Sequence, residues 1–180
     1  MLLIIILVAV ALGAIALALW AFRGTSLQNG SVGELESRLH EVDLPAFLNL
    51  TDPEEARFLA RSLTPKAFRR VQRRRISATL SYLNALAANA ALLIAMGELA
   101  GHSDDPEVAE SGRRLANTAM RTRLLVIRSY FYFVPQWFFP TAKQEWNGAV
   151  VTHYGELKRC LVHLVSVQNP SMTSRTVSLM

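Results

Sequence analysis

The residues whose types and spacing could support metal chemistry lie near the C-terminal end of the chain. His153, Glu156, Cys160 and His163 follow one another at spacings of three, four and three residues, which places them on one stripe of a helix. Imidazole, carboxylate and thiolate groups are ligands for zinc or iron. However, one straight helix spreads four such groups over about 15 Å, which is too far for a single ion. The pattern predicts a polar boundary beside the core, and a metal-binding or enzymatic bundle is the alternative.

Other signatures of catalysis are absent from the sequence. It contains no glycine-rich phosphate loop, no H-E-x-x-H, no C-x-x-C and no nucleophile elbow. Its single cysteine excludes an internal disulfide bond, and no cofactor is predicted. A hydrophobic content of 51% with a charged content of 18% excludes a disordered or collagen-like chain. These observations favour an interaction or scaffold protein over an enzyme.

Cations cluster on one predicted helix face. Between residues 56 and 75 the chain holds eight cations and no acid, whereas residues 34–55 and 98–110 are rich in acids. Three interpretations are open: pairing with those acids, contact with an anionic membrane surface, and nucleic-acid binding. The sequence does not favour the last, because no base-reading motif accompanies the cations and the chain is predicted to be tied to a membrane. Arg75 adds to a cluster whose members recur at spacings of three, one, three and one: Lys66, Arg69, Arg70, Arg73 and Arg74.

An aromatic stretch follows at residues 130–146 and contains two prolines. Its rings either close one end of a helical bundle or form an exposed surface for a membrane or a partner. We expect partial burial, with Trp137, Phe138 and Phe139 as the tip that contacts membrane or partner.

Residues 1–22 are uncharged and predict a transmembrane anchor. A helix of this length crosses a hydrocarbon core of about 30 Å. A cleaved secretory signal is the alternative, supported by Ala16-Leu17-Ala18, but no positive region precedes the apolar run. Arg23 and Arg38 follow the run, which predicts that the domain after it is cytoplasmic. The high arginine and alanine content suggests a bacterial source.

The remaining elements are predicted from capping signals and apolar spacing. Residues 23–33 form a flexible tether, and residues 34–44 form a short helix that Pro45 ends. Thr51 caps the next helix, Thr64-Pro65 begins a long helix that ends at Gly101, and Ser103 to Pro106 begin another that Pro135 ends. A last helix covers residues 148–168, and residues 169–180 form a disordered tail.

The fold predicted from these elements is all-α. An N-terminal single transmembrane helix precedes an antiparallel bundle of four to five helices within residues 34–168. The apolar residues 76–97 are predicted to be a core helix rather than a second span, because their amide side chains are costly in lipid. The next long helix carries one apolar stripe: Leu115, Ala116, Ala119, Met120, Leu124, Ile127 and Phe131.

The predicted function is that of a single-pass membrane-anchored interaction protein. Its expected partners are the lipid bilayer and another membrane protein, and the sequence does not determine an oligomeric state.

Overall fold

Helices account for the regular structure of the described residues. The computed structural model describes residues 38–140, 146 and 148–168. These residues form five α-helices and no strand, which confirms the predicted all-α class: α1 Leu44–Thr51, α2 Pro53–Ser62, α3 Pro65–Gly101, α4 Pro106–Phe138 and α5 Ala149–Gln168. The predicted anchor at 1–22, tether at 23–33 and tail at 169–180 lie outside the described residues.

The two longest helices begin where their capping signals predict. The Thr64 hydroxyl accepts a hydrogen bond from the Ala67 amide at 3.4 Å, and the Asp105 carboxylate accepts one from the Glu107 amide at 2.9 Å. A proline follows each cap, where its missing N–H costs nothing. Such signals act within a few residues, so the sequence alone reveals them.

The predicted helix at residues 34–44 is wrong over its described part, because residues 38–43 are not helical. Pro45 does not end a helix but lies in the first turn of α1, which Asp43 caps by accepting a hydrogen bond from the Ala46 amide at 2.9 Å. The stretch before α1 instead runs as irregular chain to Val42, a buried core residue. Burial of Val42 and the hydrogen bonds between the His40 backbone and Asn89 override the helical periodicity of this segment.

The predicted cap of the following helix is displaced by one residue. Thr51 is the last residue of α1, and its hydroxyl donates to the Phe47 carbonyl at 3.1 Å. Asp52 caps α2 instead, because its carboxylate accepts a hydrogen bond from the Glu54 amide at 2.9 Å.

The long helices α3 and α4 form an antiparallel hairpin, and α5 packs against α4. A buried asparagine ties these helices to the segment that precedes α1. Asn89 donates to the His40 carbonyl at 2.7 Å and to the Tyr154 hydroxyl at 2.8 Å, and accepts a hydrogen bond from the His40 amide at 2.8 Å. The surrounding core is apolar: Phe47, Leu83, Leu86, Leu93, Met96, Leu115, Val126, Leu157, Leu161 and Leu164.

Helix α4 departs from its prediction in two respects. It continues through Pro135 to Phe138, because packing of Gln136 and Trp137 against the bundle holds the last turn. Its apolar residues also divide between two faces rather than forming one stripe. Leu115 and Ala119 are buried, whereas Met120, Leu124 and Phe131 are exposed.

Among the described helices, α3 is long and apolar enough to cross a membrane. Half of its apolar window is buried inside the bundle. Length and composition do not distinguish a core helix from a membrane span. The burial of α3 against α4 is what a core helix would show.

Candidate functional site

The predicted cation cluster lies on the first turns of α3. Lys66, Arg69, Arg70, Arg73 and Arg74 are all exposed, and we call them the basic face. The Thr64 cap and Pro65 start the helix directly before them, so the helical period brings all five to one side.

Within the part of the chain that the structure describes, no carboxylate pairs with the basic face. Arg69 donates from Nε to the Pro65 carbonyl at 3.3 Å, within its own helix. The described acids at 41–55 and 98–110 therefore leave these five charges facing solvent, while Glu34 and Glu36 lie outside the described residues.

Arg75 does not belong to the basic face, although the sequence suggested that it adds to it. Its side chain is buried and contacts the Glu55 carboxylate at 2.7 Å. The same guanidinium donates to the carbonyls of Asn49 and Leu50 at 3.1 Å each and to the Asp52 carbonyl at 3.5 Å. Pairing between the basic stretch and the acidic segment thus occurs at Arg75, which joins α3 to the junction of α1 and α2, and at Arg57, which contacts the Glu54 carboxylate at 2.8 Å within α2.

The aromatic tip, formed by Trp137, Phe138 and Phe139, lies at the C-terminal end of α4. These side chains are 40%, 60% and 70% exposed. The tryptophan is held from one side, because its Nε1 donates to the Ser77 hydroxyl at 3.2 Å. Its ring also contacts Phe138 edge-on at 5.1 Å between centroids.

The basic face and the aromatic tip meet in the folded chain. The Arg73 guanidinium lies over the Trp137 ring, 5.8 Å from its centroid, which is cation–π geometry. Because α3 and α4 are antiparallel, the first turns of one helix lie beside the last turns of the other. The result is one surface that combines cations with exposed rings, which we call the basic–aromatic end.

A hydrogen-bonded tyrosine joins α3 to α4 near the basic–aromatic end. Tyr130 of α4 is buried and donates its hydroxyl proton to the Asn84 side-chain oxygen of α3. Burial raises the pKa of Tyr130 to about 12, so the hydroxyl keeps its proton at neutral pH. The contact fixes α4 against α3 two turns before the aromatic tip.

The structure does not bring together the four residues that were the alternative candidates for a metal site. The His153 Nδ1 lies 3.2 Å from the Glu156 carboxylate, whereas Cys160 contacts Thr118 and His163 contacts Ser111 on α4, at 3.7 Å and 3.3 Å. Over the described ranges, no group of three His, Cys, Asp or Glu side chains is placed to hold a metal ion. Cys160 and His163 thus make polar contacts between α5 and α4, whereas His153 and Glu156 contact each other on the partly exposed side of α5.

Two features of the structure were not predicted from the sequence. The buried Asn89 network leaves no local signal, since its partners lie 49 and 65 residues away. The exposed apolar face of α4 does have a local signal, because its apolar residues alternate at spacings of three and four. The same spacing is also found in a stripe that is buried in a core.

Comparison of the chain with protein-family models, with curated proteins and with solved structures finds no match.

Proposed function

We propose that this protein is a membrane-anchored helical interaction protein whose basic–aromatic end binds an anionic lipid surface. The observation that carries the proposal is the contact between Arg73 and Trp137, which unites exposed cations and exposed rings on one surface. Each cation near anionic headgroups contributes about 1 kcal/mol. Tryptophan and phenylalanine favour the boundary between headgroups and acyl chains.

The arrangement suits a lipid surface better than a nucleic acid. A bilayer accepts apolar rings and cations side by side. Single-stranded nucleic acid also binds to cations and to rings that stack on its bases, so the preference for lipid rests on the predicted anchor. The predicted anchor at residues 1–22 would also hold the domain close to the membrane. If the domain is cytoplasmic, it faces the leaflet that carries anionic lipids.

The lipid proposal predicts a loss of binding when the basic face is neutralised. Co-sedimentation of the anchor-free chain, residues 33–168, with anionic vesicles should weaken at least about tenfold after Arg69→Gln, Arg70→Gln and Arg73→Gln are combined. Binding should also fall with salt, because the Debye length shrinks from about 10 Å at 0.1 M to about 3 Å at 1 M. A matched triple variant removes the same charge elsewhere: Arg61→Gln, Arg113→Gln and Arg159→Gln.

Three outcomes contradict this proposal. The first is equal sedimentation with neutral and anionic vesicles, and the second is an equal loss of binding in the matched variant. The third is unchanged vesicle binding with a lower melting temperature, which would show that the basic face pairs internally.

The topology is tested on the full chain in cells. We expect the protein to stay in the membrane pellet after carbonate extraction, and its domain to resist protease added to spheroplasts but not to permeabilised cells. Release by carbonate would show that residues 1–22 do not anchor the chain, and digestion from outside would place the domain across the membrane. The mass of the purified protein distinguishes a retained anchor from a cleaved signal.

A further inference from the structure

The outward side of α4 carries a second apolar surface that the bundle does not use. Leu124, Phe131 and Phe138 are 52%, 51% and 60% exposed. With three neighbours they recur at spacings of four, three, four, three and four residues over about 27 Å of helix. We call this set the outer stripe: Met120, Leu124, Ile127, Phe131, Val134 and Phe138.

The outer stripe lies opposite the face of α4 that forms the core. Leu115, Ala119, Val126 and Phe133 are buried against the rest of the bundle. No described helix covers the other face. A continuous apolar row on the solvent side of a packed helix is typical of an interaction surface.

Apolar residues that alternate at spacings of three and four form the interface of a coiled coil, which we call the seam. In that register Leu124, Phe131 and Phe138 occupy a positions, and Met120, Ile127 and Val134 occupy d positions. Such a seam is narrow, whereas a helix that lies flat in a bilayer presents a wider apolar face. The geometry therefore points to another α-helix as the occupant.

The residues beside the seam determine the charge of that helix. Arg121 and Arg128 occupy e positions and Arg123 occupies a g position, where pairs between helices set partner choice. From Ser111 to Pro140 the sequence contains no aspartate or glutamate. The charged residues of α4 that border the seam are thus all positive.

A second copy of this chain fits the seam poorly. In a parallel pair the g-position arginine would face an e-position arginine of the other copy, and in an antiparallel pair e faces e and g faces g. Either arrangement places like charges together. The chain's own terminal segments also supply too few acids, because residues 1–33 and 169–180 contain none, and Glu34 and Glu36 are the two that precede the described residues.

We propose that the outer stripe docks an acidic amphipathic helix of another protein, with apolar residues at a and d and glutamate or aspartate at e and g. This surface shares Phe138 with the aromatic tip but contains none of the cations of the basic face, and it does not depend on the lipid proposal.

The test uses the full chain in nanodiscs of neutral phosphatidylcholine and two synthetic peptides of about four heptads each. Both peptides carry isoleucine at a and leucine at d. One carries glutamate at every e and g position, and the other carries lysine there. Fluorescence anisotropy should show the glutamate peptide binding at least about tenfold more tightly than the lysine peptide.

Two sets of variants locate the binding. Leu124→Ser combined with Phe131→Ser should weaken the glutamate peptide at least about tenfold, because both residues are central in the seam. Leu99→Ser combined with Phe58→Ser removes equally exposed apolar side chains elsewhere and should leave binding unchanged. Arg121→Glu combined with Arg128→Glu should reverse the preference to the lysine peptide, whereas Arg61→Glu combined with Arg159→Glu should not.

Several results would overturn the proposal. One is failure of both peptides to bind. Another is peptide binding that persists in the Leu124→Ser, Phe131→Ser variant but is lost when the basic face is neutralised. Self-association of the full chain that Leu124→Ser and Phe131→Ser abolish would identify a second copy as the occupant. Reduced vesicle binding by the Leu124→Ser, Phe131→Ser variant would identify the bilayer as the occupant. None of these results decides whether the basic face binds lipid, which the arginine-to-glutamine variants test separately.

Discussion

Substitution of Arg75 by methionine is expected to lower the free energy of unfolding by about 2 kcal/mol. The buried guanidinium satisfies three backbone carbonyls where α1 meets α2, and it pairs with Glu55 at 2.7 Å. Methionine has a similar length but no donor, so all three carbonyls lose the arginine, although the Asn49 and Asp52 carbonyls keep a backbone amide donor. Urea denaturation of the anchor-free chain measures the effect, and hydrogen exchange should show the first loss of protection in α1 and α2.

The neighbouring arginine provides the control for this prediction. Arg74 is exposed and forms no described ion pair, so Arg74→Met should change the free energy of unfolding by no more than about 0.5 kcal/mol. Glu55→Gln should cost less than Arg75→Met, because the Glu55 side chain is 38% exposed and water replaces part of the interaction. If Arg75→Met left stability unchanged and instead weakened vesicle binding, Arg75 would belong to the basic face after all.

Substitution of Gly112 by alanine is expected to lower the free energy of unfolding by about 2 kcal/mol. A Cβ atom at this position would lie 2.6 Å from the Gly101 amide nitrogen and 2.8 Å from the Ala100 carbonyl carbon. Both are backbone atoms, so α3 and α4 would have to move apart. Gly97 faces the same crossing from α3, where a Cβ would lie 2.6 Å from the Gly112 carbonyl oxygen, and Gly97→Ala should have a similar effect.

A third helical glycine separates this packing effect from helix propensity. A Cβ at Gly155 in α5 would meet nothing within 4 Å, so Gly155→Ala should raise the free energy of unfolding by about 0.5–1 kcal/mol. Thermal and urea unfolding of the three variants give the comparison. A stabilising effect of Gly112→Ala equal to that of Gly155→Ala would show that the two helices do not approach as closely as described.

Local signals explain which parts of the fold the sequence predicts well. The starts of α3 and α4 depend on a cap and a proline within a few residues, and both are confirmed. The helix predicted at residues 34–44 fails over its described part because His40 and Val42 engage the bundle instead. Its apolar spacing is real, but contacts with α3 outweigh the local preference.

The sequence by itself determined the all-α class, and it placed five cations on one side of a helix, because helical geometry depends only on spacing along the chain. Only the tertiary structure decided that Arg75 is buried while Arg74 is exposed, and that Arg73 meets Trp137. It also decided that α4 buries Leu115 and exposes Leu124. Each of these outcomes depends on which distant segment covers a given face, and that information is carried by packing between helices rather than by the order of residues within one of them.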